Sequence, residues 1–364
     1  MVLIIFPATI VLASFSLLLL SKLSFSLGLV DKPSQRKRHE GEVPLIGGIS
    51  FFFTLSFLCT VIPNLIPNHE MYLIGGLILT LLGAVDDRFD IRASTRIVML
   101  IALSVWLVSA QNISLVNLGD LWGYGNVSVE SWDVLFTMIA LIGAVTAFNM
   151  VDGVDGLLGM LASITLLSLS VLFFIQGESR LAVFCLVCVC ALVPFLMCNL
   201  SKGSSLVMKI FMGDSGSTLL GFTIVWMFIH GSQVGLAGLT QVAVKPVIVL
   251  WLIAVPLMDM GWVVLRRVLK GKSPFKADRL HLHHICMRLG LSSTQTLIVL
   301  SSIAILLAAF GVWAQTLNVK ESWMMWGFLS LFVTYCALMH TLKVMIKRRV
   351  FRPKRKTCTT PISV

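Results

Sequence analysis

Residues 157–175 read LLGMLASITLLSLSVLFFI, a run without a single charged side chain. About 20 apolar residues are enough for one helical crossing of a bilayer's hydrocarbon core, so this run predicts a transmembrane helix. It starts directly after Asn149-Met150-Val151-Asp152-Gly153-Val154-Asp155-Gly156, a polar string broken by two glycines. That junction sets the pattern for the chain: apolar spans whose ends carry carboxylates.

Working outward, further apolar runs fall near residues 2–21, 44–63, 71–85, 97–110, 132–148, 181–198, 215–230, 242–263, 294–314 and 322–342. Of the 364 residues, 57% are hydrophobic and 12% charged, against about 25% charged in soluble domains. A soluble core cannot hide that many apolar side chains. The expected fold is all-α: a polytopic integral membrane protein with about eleven transmembrane helices. Residues 1–343 are expected to form one transmembrane domain and 344–364 a basic tail. The first run lacks the basic start and small-residue cleavage site of a secretory leader, so it is read as a span.

The net charge of +11 raises the question of nucleic acid, and its distribution answers no. All but three of the 28 Lys and Arg residues fall in alternate inter-span segments, at 22–43, 86–96, 200–214, 264–293 and 343–364; the exceptions are Arg180, Lys245 and Lys320. The positive-inside rule then puts the N-terminus in the periplasm and the C-terminus in the cytosol, with the tail Lys347-Arg348-Arg349…Lys354-Arg355-Lys356 lying near anionic lipid. Cys185, Cys188 and Cys190 sit inside an apolar run and read as small buried hydrophobes.

This orientation brings the acids to one side. Asp86, Asp87, Asp90, Asp152, Asp155, Asp214 and Asp259 all fall at or near cytosolic ends of spans. Ionisable groups at a membrane boundary are costly unless paired or useful. In Gly83-Ala84-Val85-Asp86-Asp87-Arg88-Phe89-Asp90, adjacent carboxylates repel, and a divalent cation or Arg88 and Arg92 would relieve them; a salt-bridged helix end is the plainer explanation. In Asn149–Gly156 the glycines favour a loop that approaches a ligand closely, against a turn capped by Asp155. In Phe211-Met212-Gly213-Asp214-Ser215-Gly216-Ser217-Thr218, one polar residue serves as an N-cap, yet the string exceeds what a cap requires. A helix N-terminus binds phosphate, and Asp214 beside it suits Mg²⁺, which uses one or two carboxylates plus substrate phosphates. The long basic segment holds Lys270, Lys272, Lys276, Asp278, Arg279, His281, His283 and His284. It is either a solvated loop or a set of phosphate donors. These residues alone point to metal-assisted phosphoryl transfer involving a lipid.

At the same positions the chain resembles the polyprenyl-phosphate N-acetylhexosamine-1-phosphate transferase family over nearly its whole length. The segments that carry the resemblance are Gly28–Pro33, Arg36–His39, Pro44–Gly48, Asp86–Asp90, Asn149–Gly156, Phe211–Thr218, Pro256–Asp259 and His281–His284. The resemblance implies a bacterial inner-membrane enzyme with a cytosolic active site, joining N-acetylglucosamine 1-phosphate from UDP-N-acetylglucosamine to undecaprenyl phosphate and releasing UMP. Its products would open O-antigen and enterobacterial common antigen synthesis. Alternative donors are another UDP-N-acetylhexosamine or UDP-MurNAc-pentapeptide, although Pro44-Leu-Ile-Gly-Gly48 and His281-Leu-His-His284 depart from the pattern of the enzymes using the latter. The resemblance also implies Mg²⁺, with Mn²⁺ as alternative, and a homodimer. By residue, it implies Asp214 and Asp87 for the metal, and Asp86, Asp87 and Asp155 for catalysis. Asn149, Asp152, Phe211, Arg279, His281, His283 and His284 would bind substrate.

A phosphate monoester is already largely dianionic at pH 7, so a general base has little proton to remove. The expected path is direct in-line attack of the lipid phosphate on the donor's β-phosphorus, with cations offsetting repulsion. An ion or metabolite transporter is the rival class, since Pro246 and Pro256 interrupt one span. Acids gathered at a single interface suit surface catalysis better.

Overall fold

The computed structural model describes residues 2–32, 41–201, 208–273 and 280–350. Each apolar run becomes helix: α1 (Val2–Leu27), α2 (Gly47–Val61), α3 (His69–Phe89), α4 (Ala93–Gln111), α5 (Asp133–Val151), α6 (Leu157–Ile175), α7 (Ser179–Asn199), α8 (Gly213–Ser232), α9 (Pro246–Leu252) with α10 (Ala254–Val268), α12 (Ser293–Thr316) and α13 (Glu321–Val350). A short helix, α11 (Leu282–Arg288), precedes α12. Among the described residues, eight helices are long and apolar enough to cross a membrane, and the pair α9–α10 makes up to nine.

Two of the eleven expected runs, α2 and α8, lie outside that count, which rests on helix length and composition. Helix α2 has only 15 residues. Helix α8 has 20, but Gly213–Thr218 and His230–Ser232 make its ends polar or glycine-rich; every residue in it but Asp214 is buried in the protein. Buried on all sides, α8 is the core around which the bundle packs. Missing side chains allow this. A Cβ on Gly48 would fall inside the backbone of Gly216, one on Gly83 inside that of Ser215, and one on Gly221 would lie 2.7 Å from Val145 Cα. Small residues thus let three neighbouring helices touch α8 backbone to backbone. Farther along, Tyr72, Phe184, Phe222 and Trp226 interlock at ring separations of 5.5–5.6 Å, and Tyr72 Oη meets Thr223 Oγ1 at 2.9 Å.

The run at 242–263 is not one helix, because α9 and α10 meet at 85°. Pro246 opens α9, where its missing N–H is no loss. Pro256 falls in the first turn of α10; in a continuous helix its ring would collide with the carbonyl of Leu252. The chain breaks at Ile253 instead.

Two short strands, β1 (Val30–Asp31) and β2 (Val43–Pro44), pair antiparallel and fix the chain entering α2. Pro44 O accepts from Phe211 N at 2.9 Å, Phe211 O from Gly47 N at 3.0 Å, and Met212 O from Gly48 N at 2.9 Å. The start of α2 therefore holds the approach to α8. The C-termini of α3 and α5, the N-terminus of α8 and all of α11 meet at this one end of the bundle.

Candidate active site

The N-terminus of α8 is capped from another helix. Asp87, in the last turn of α3, accepts from the backbone N–H of Asp214 at 2.8 Å and of Ser215 at 3.4 Å. A carboxylate there satisfies free amides and meets the positive end of the helix dipole. Gly213 makes room: its φ is +75°, and a Cβ would sit 2.5 Å from Asp87 Oδ2. Asp214 is turned outward. Its Oδ1 accepts from Asn149 Nδ2 at 2.5 Å, and the same amide donates to Ser217 Oγ at 2.9 Å.

Asp86 points to a different partner from those its sequence suggested. Arg96 of α4, not Arg88 or Arg92, donates to Asp86 Oδ2 at 2.5 Å, and its Nη1 lies 3.6 Å from Asp214 Oδ2. Ile91 N donates to Asp86 Oδ1 at 2.9 Å. One guanidinium thus faces two carboxylates from separate helices, and its neighbourhood opens into a cavity.

That cavity has a volume of about 350 Å³, and Arg96, Asn149, Asp152, Thr218, Arg267 and the three histidines give it its polar lining. His281, His283 and His284 line it together; His281 and His283 stack 5.7 Å apart with planes 5° from parallel. The His283 ring presses on Gly153, where a Cβ would overlap Nε2, which explains a glycine in the middle of Asn149–Gly156. Nε2 of His283 is buried without a hydrogen-bond partner. Burial, followed by the charge of His284, pushes the imidazole down to about 3, so this ring is neutral near pH 7. Asp152 lines the cavity as an exposed residue. Desolvation, then the charges of Asp214 and Asp155, push its carboxyl up to about 7.

A second cluster lies on the far side of the Asp152 turn. Lys209 donates to Asp155 Oδ2 at 2.7 Å and stands over the Phe211 ring with its Nζ 5.4 Å from the centroid. Behind both, buried Asn199 accepts from Gly156 N at 2.5 Å and donates to Ile210 O at 2.7 Å. One side chain at the end of α7 thereby ties the Asp152–Asp155 turn to the strand-like approach of α8.

Of the residues expected from sequence, Asn149, Asp152, His281, His283 and His284 line the cavity. Asp86 and Asp214 stand directly behind it through Arg96 and Asn149, and Asp87 behind Asp214. Asp155 and Phe211 form the neighbouring cluster, and Arg279 lies outside the described residues. Arg96, Lys209, Asn199 and Arg267 were missed. Asn199 carried a signal, a lone amide ending an apolar run.

Among the described residues, no three His, Cys, Asp or Glu side chains converge on a common metal position. Magnesium requires less, since one or two carboxylates suffice when phosphates complete its shell. Asp152 and Asp214 are the pair that fits this, since Asp152 lines the cavity and the charge of Asp214, just behind it, acts on the Asp152 carboxyl. Asp87 fits less well, its oxygens being turned to the α8 amides.

Comparison with known proteins gives a consistent result. Residues 70–232 match the pattern of glycosyl transferase family 4. The undecaprenyl-phosphate α-N-acetylglucosaminyl 1-phosphate transferase of Salmonella typhi is 38% identical over 304 residues, covering 84% of this chain and 81% of that protein. The protein of the same name from Escherichia coli K12 is likewise 38% identical over 304 residues, again 84% and 81%. That of Haemophilus influenzae is 37% identical over 347 residues, 94% of this chain and 95% of its own.

Proposed function

The chain belongs to glycosyl transferase family 4, with the undecaprenyl-phosphate α-N-acetylglucosaminyl 1-phosphate transferases as its relatives, and from that premise we propose how its cavity works. The reaction moves N-acetylglucosamine 1-phosphate from UDP-N-acetylglucosamine to undecaprenyl phosphate. A lipid phosphate oxygen bonds to the donor's β-phosphorus, the bridge to the α-phosphate breaks, and UMP leaves with the electron pair. The cavity faces the cytosol at the inner membrane, where both the donor and the basic segments belong. The product opens lipid-linked synthesis of O-antigen or enterobacterial common antigen.

One observation carries this reading: Arg96, Arg267 and three histidines share a 350 Å³ cavity with Asp152 and Asn149. Two anionic phosphates must approach each other, and that requires fixed donors more than a base. Arg96 is held in place by Asp86, so Asp86 acts through it. Asp87 acts through the α8 amides, holding Asp214 in place behind the cavity. Asn149 fixes the Asp214 carboxylate. Asp214 and Asp152, together with the substrate phosphates, would hold Mg²⁺, which would supply charge neutralisation to the transferring group. Lys209 and Phe211 give the neighbouring cluster a cation and a ring face for the nucleotide, with Asp155 orienting the lysine.

The test is to incubate membranes holding the protein with a panel of labelled UDP-sugars. UMP release that needs both added undecaprenyl phosphate and Mg²⁺, and is greatest with UDP-N-acetylglucosamine, is the expected result. Preference for UDP-MurNAc-pentapeptide, or release indifferent to the lipid, would overturn it.

A further inference from the structure

Asp259 has no part in the reaction just described, yet it is the most completely enclosed carboxylate at this end of the bundle. It lies in the second turn of α10 and is 1% exposed. Three donors reach it from two other elements. Nδ1 of His281 is at 2.9 Å and the N–H of Leu282 at 2.8 Å, both from the start of α11; the Tyr335 hydroxyl, from α13, is at 3.1 Å. Capping α11 would need only the Leu282 contact. The other two bonds act on an imidazole that lines the cavity.

A carboxylate only accepts hydrogen bonds, so the Nδ1 facing it carries the proton. That leaves the Nε2 edge of the ring for the cavity. The parallel stack on His283 restrains the plane, and the Asp259 bond fixes the ring's rotation within it. Resting on the phosphotransfer reading above, we infer that Asp259 is a positioning residue: it presents His281 Nε2 to the donor diphosphate and supplies the counter-charge for a doubly protonated ring. With phosphate bound, Nδ1–H stays on Asp259 and Nε2–H donates to a phosphate oxygen. Tyr335 holds the carboxylate in register and ties this unit to α13. A buried acid of this kind, hydrogen-bonded behind an active-site histidine, sets orientation and tautomer without itself taking a proton.

The experiment is a double-substitution cycle in the full-length protein, reading kcat and KM for UDP-N-acetylglucosamine. Asp259→Asn retains an acceptor for Leu282 but removes the charge. It lowers kcat about 100-fold or more while KM changes less than about 3-fold, as when a catalytic histidine loses its carboxylate. Tyr335→Phe costs less than about 5-fold, removing one neutral hydrogen bond. In a His281→Ala background, Asp259→Asn costs no more than about 2-fold further, since the residue through which it acts is gone. Full multiplication of the two losses would overturn the inference, as would an Asp259→Asn enzyme of normal kcat. Should Asp259→Asn fail to fold, ¹⁵N-histidine NMR of the unsubstituted protein decides: a proton on His281 Nδ1, assigned by its disappearance in His281→Gln, supports the inference, and a bare Nδ1 contradicts it. The unsubstituted enzyme separates the two claims, because absence of lipid-dependent UMP release there refutes the reaction rather than the role of Asp259.

Discussion

Asp87 Oδ1 accepts the backbone N–H of Asp214 at 2.8 Å, joining the last turn of α3 to the first turn of α8. The paired acids Asp86 and Asp87 therefore diverge: one turns to Arg96 and the other to a helix N-terminus. Replacing Asp87 separates cap from charge. Asp87→Asn keeps an oxygen for the amide and leaves detergent-solubilised thermal stability nearly unchanged, while Asp87→Ala costs about 1–2 kcal/mol. Mg²⁺ titrations of activity divide the roles further. Asp214→Asn raises the half-saturating Mg²⁺ concentration at least about 10-fold and Asp87→Asn far less; the reverse order would make Asp87 the metal ligand.

The Arg96–Asp86 pair is asymmetric, with the carboxylate side chain 2% exposed and the guanidinium 33%. Arg96→Met strands a buried charge. The cost is about 2–3 kcal/mol, below the 3–5 of a fully buried pair because Arg96 is partly solvated. Arg96→Met with Asp86→Asn recovers much of that stability in thermal unfolding but none of the activity, since the cavity has still lost a cation.

Glycine positions make a sharp contrast. Gly48→Ala forces a methyl group into the Gly216 backbone, and overpacking of this kind costs about 1–3 kcal/mol or more. Gly143→Ala in α5 meets nothing within 4 Å and gains up to about 1 kcal/mol from helix propensity. Yield and monodispersity of the two variants in size-exclusion chromatography are the check.

His283 gives the protein an acid-sensitive fold. Its imidazole is pushed down to about 3 by burial, against about 6.5 in an unfolded chain. Between these values the unfolded chain binds a proton that the folded one does not, so stability is complete above about 6.5 and falls as pH falls. The loss from this residue is about 2 kcal/mol by pH 5. His283→Gln flattens the melting-temperature profile between pH 7.5 and 5, and an unchanged slope would remove His283 as its cause.

How far the sequence could be read follows from the range of each interaction. Hydropathy is summed along a segment, so the run at 157–175 and its companions were legible, as was the collection of acids at one side. Whether a run faces lipid or protein depends on neighbours remote in sequence, so the full burial of α8 was not. Pro256 marked the break in the ninth run, but its 85° angle comes from packing. Arg88 and Arg92 were the near choices for Asp86. The true partner, Arg96, lies across a helix break. Lys209 was similarly hidden, because its link to Asp155 spans 54 positions. Asp259 stood out only as an acid too deep for comfort; its three donors belong to α11 and α13.

We propose that this cavity passes a sugar with its phosphate to a lipid phosphate by direct attack. This transfer is tested most directly by a single turnover of UDP-N-acetylglucosamine carrying ³²P at the β-position. All transferred label is expected to enter the lipid and UMP to leave unlabelled in equal amount, and neither to happen without undecaprenyl phosphate. Label remaining on the nucleotide, or a burst of UMP from enzyme and donor alone, would contradict it.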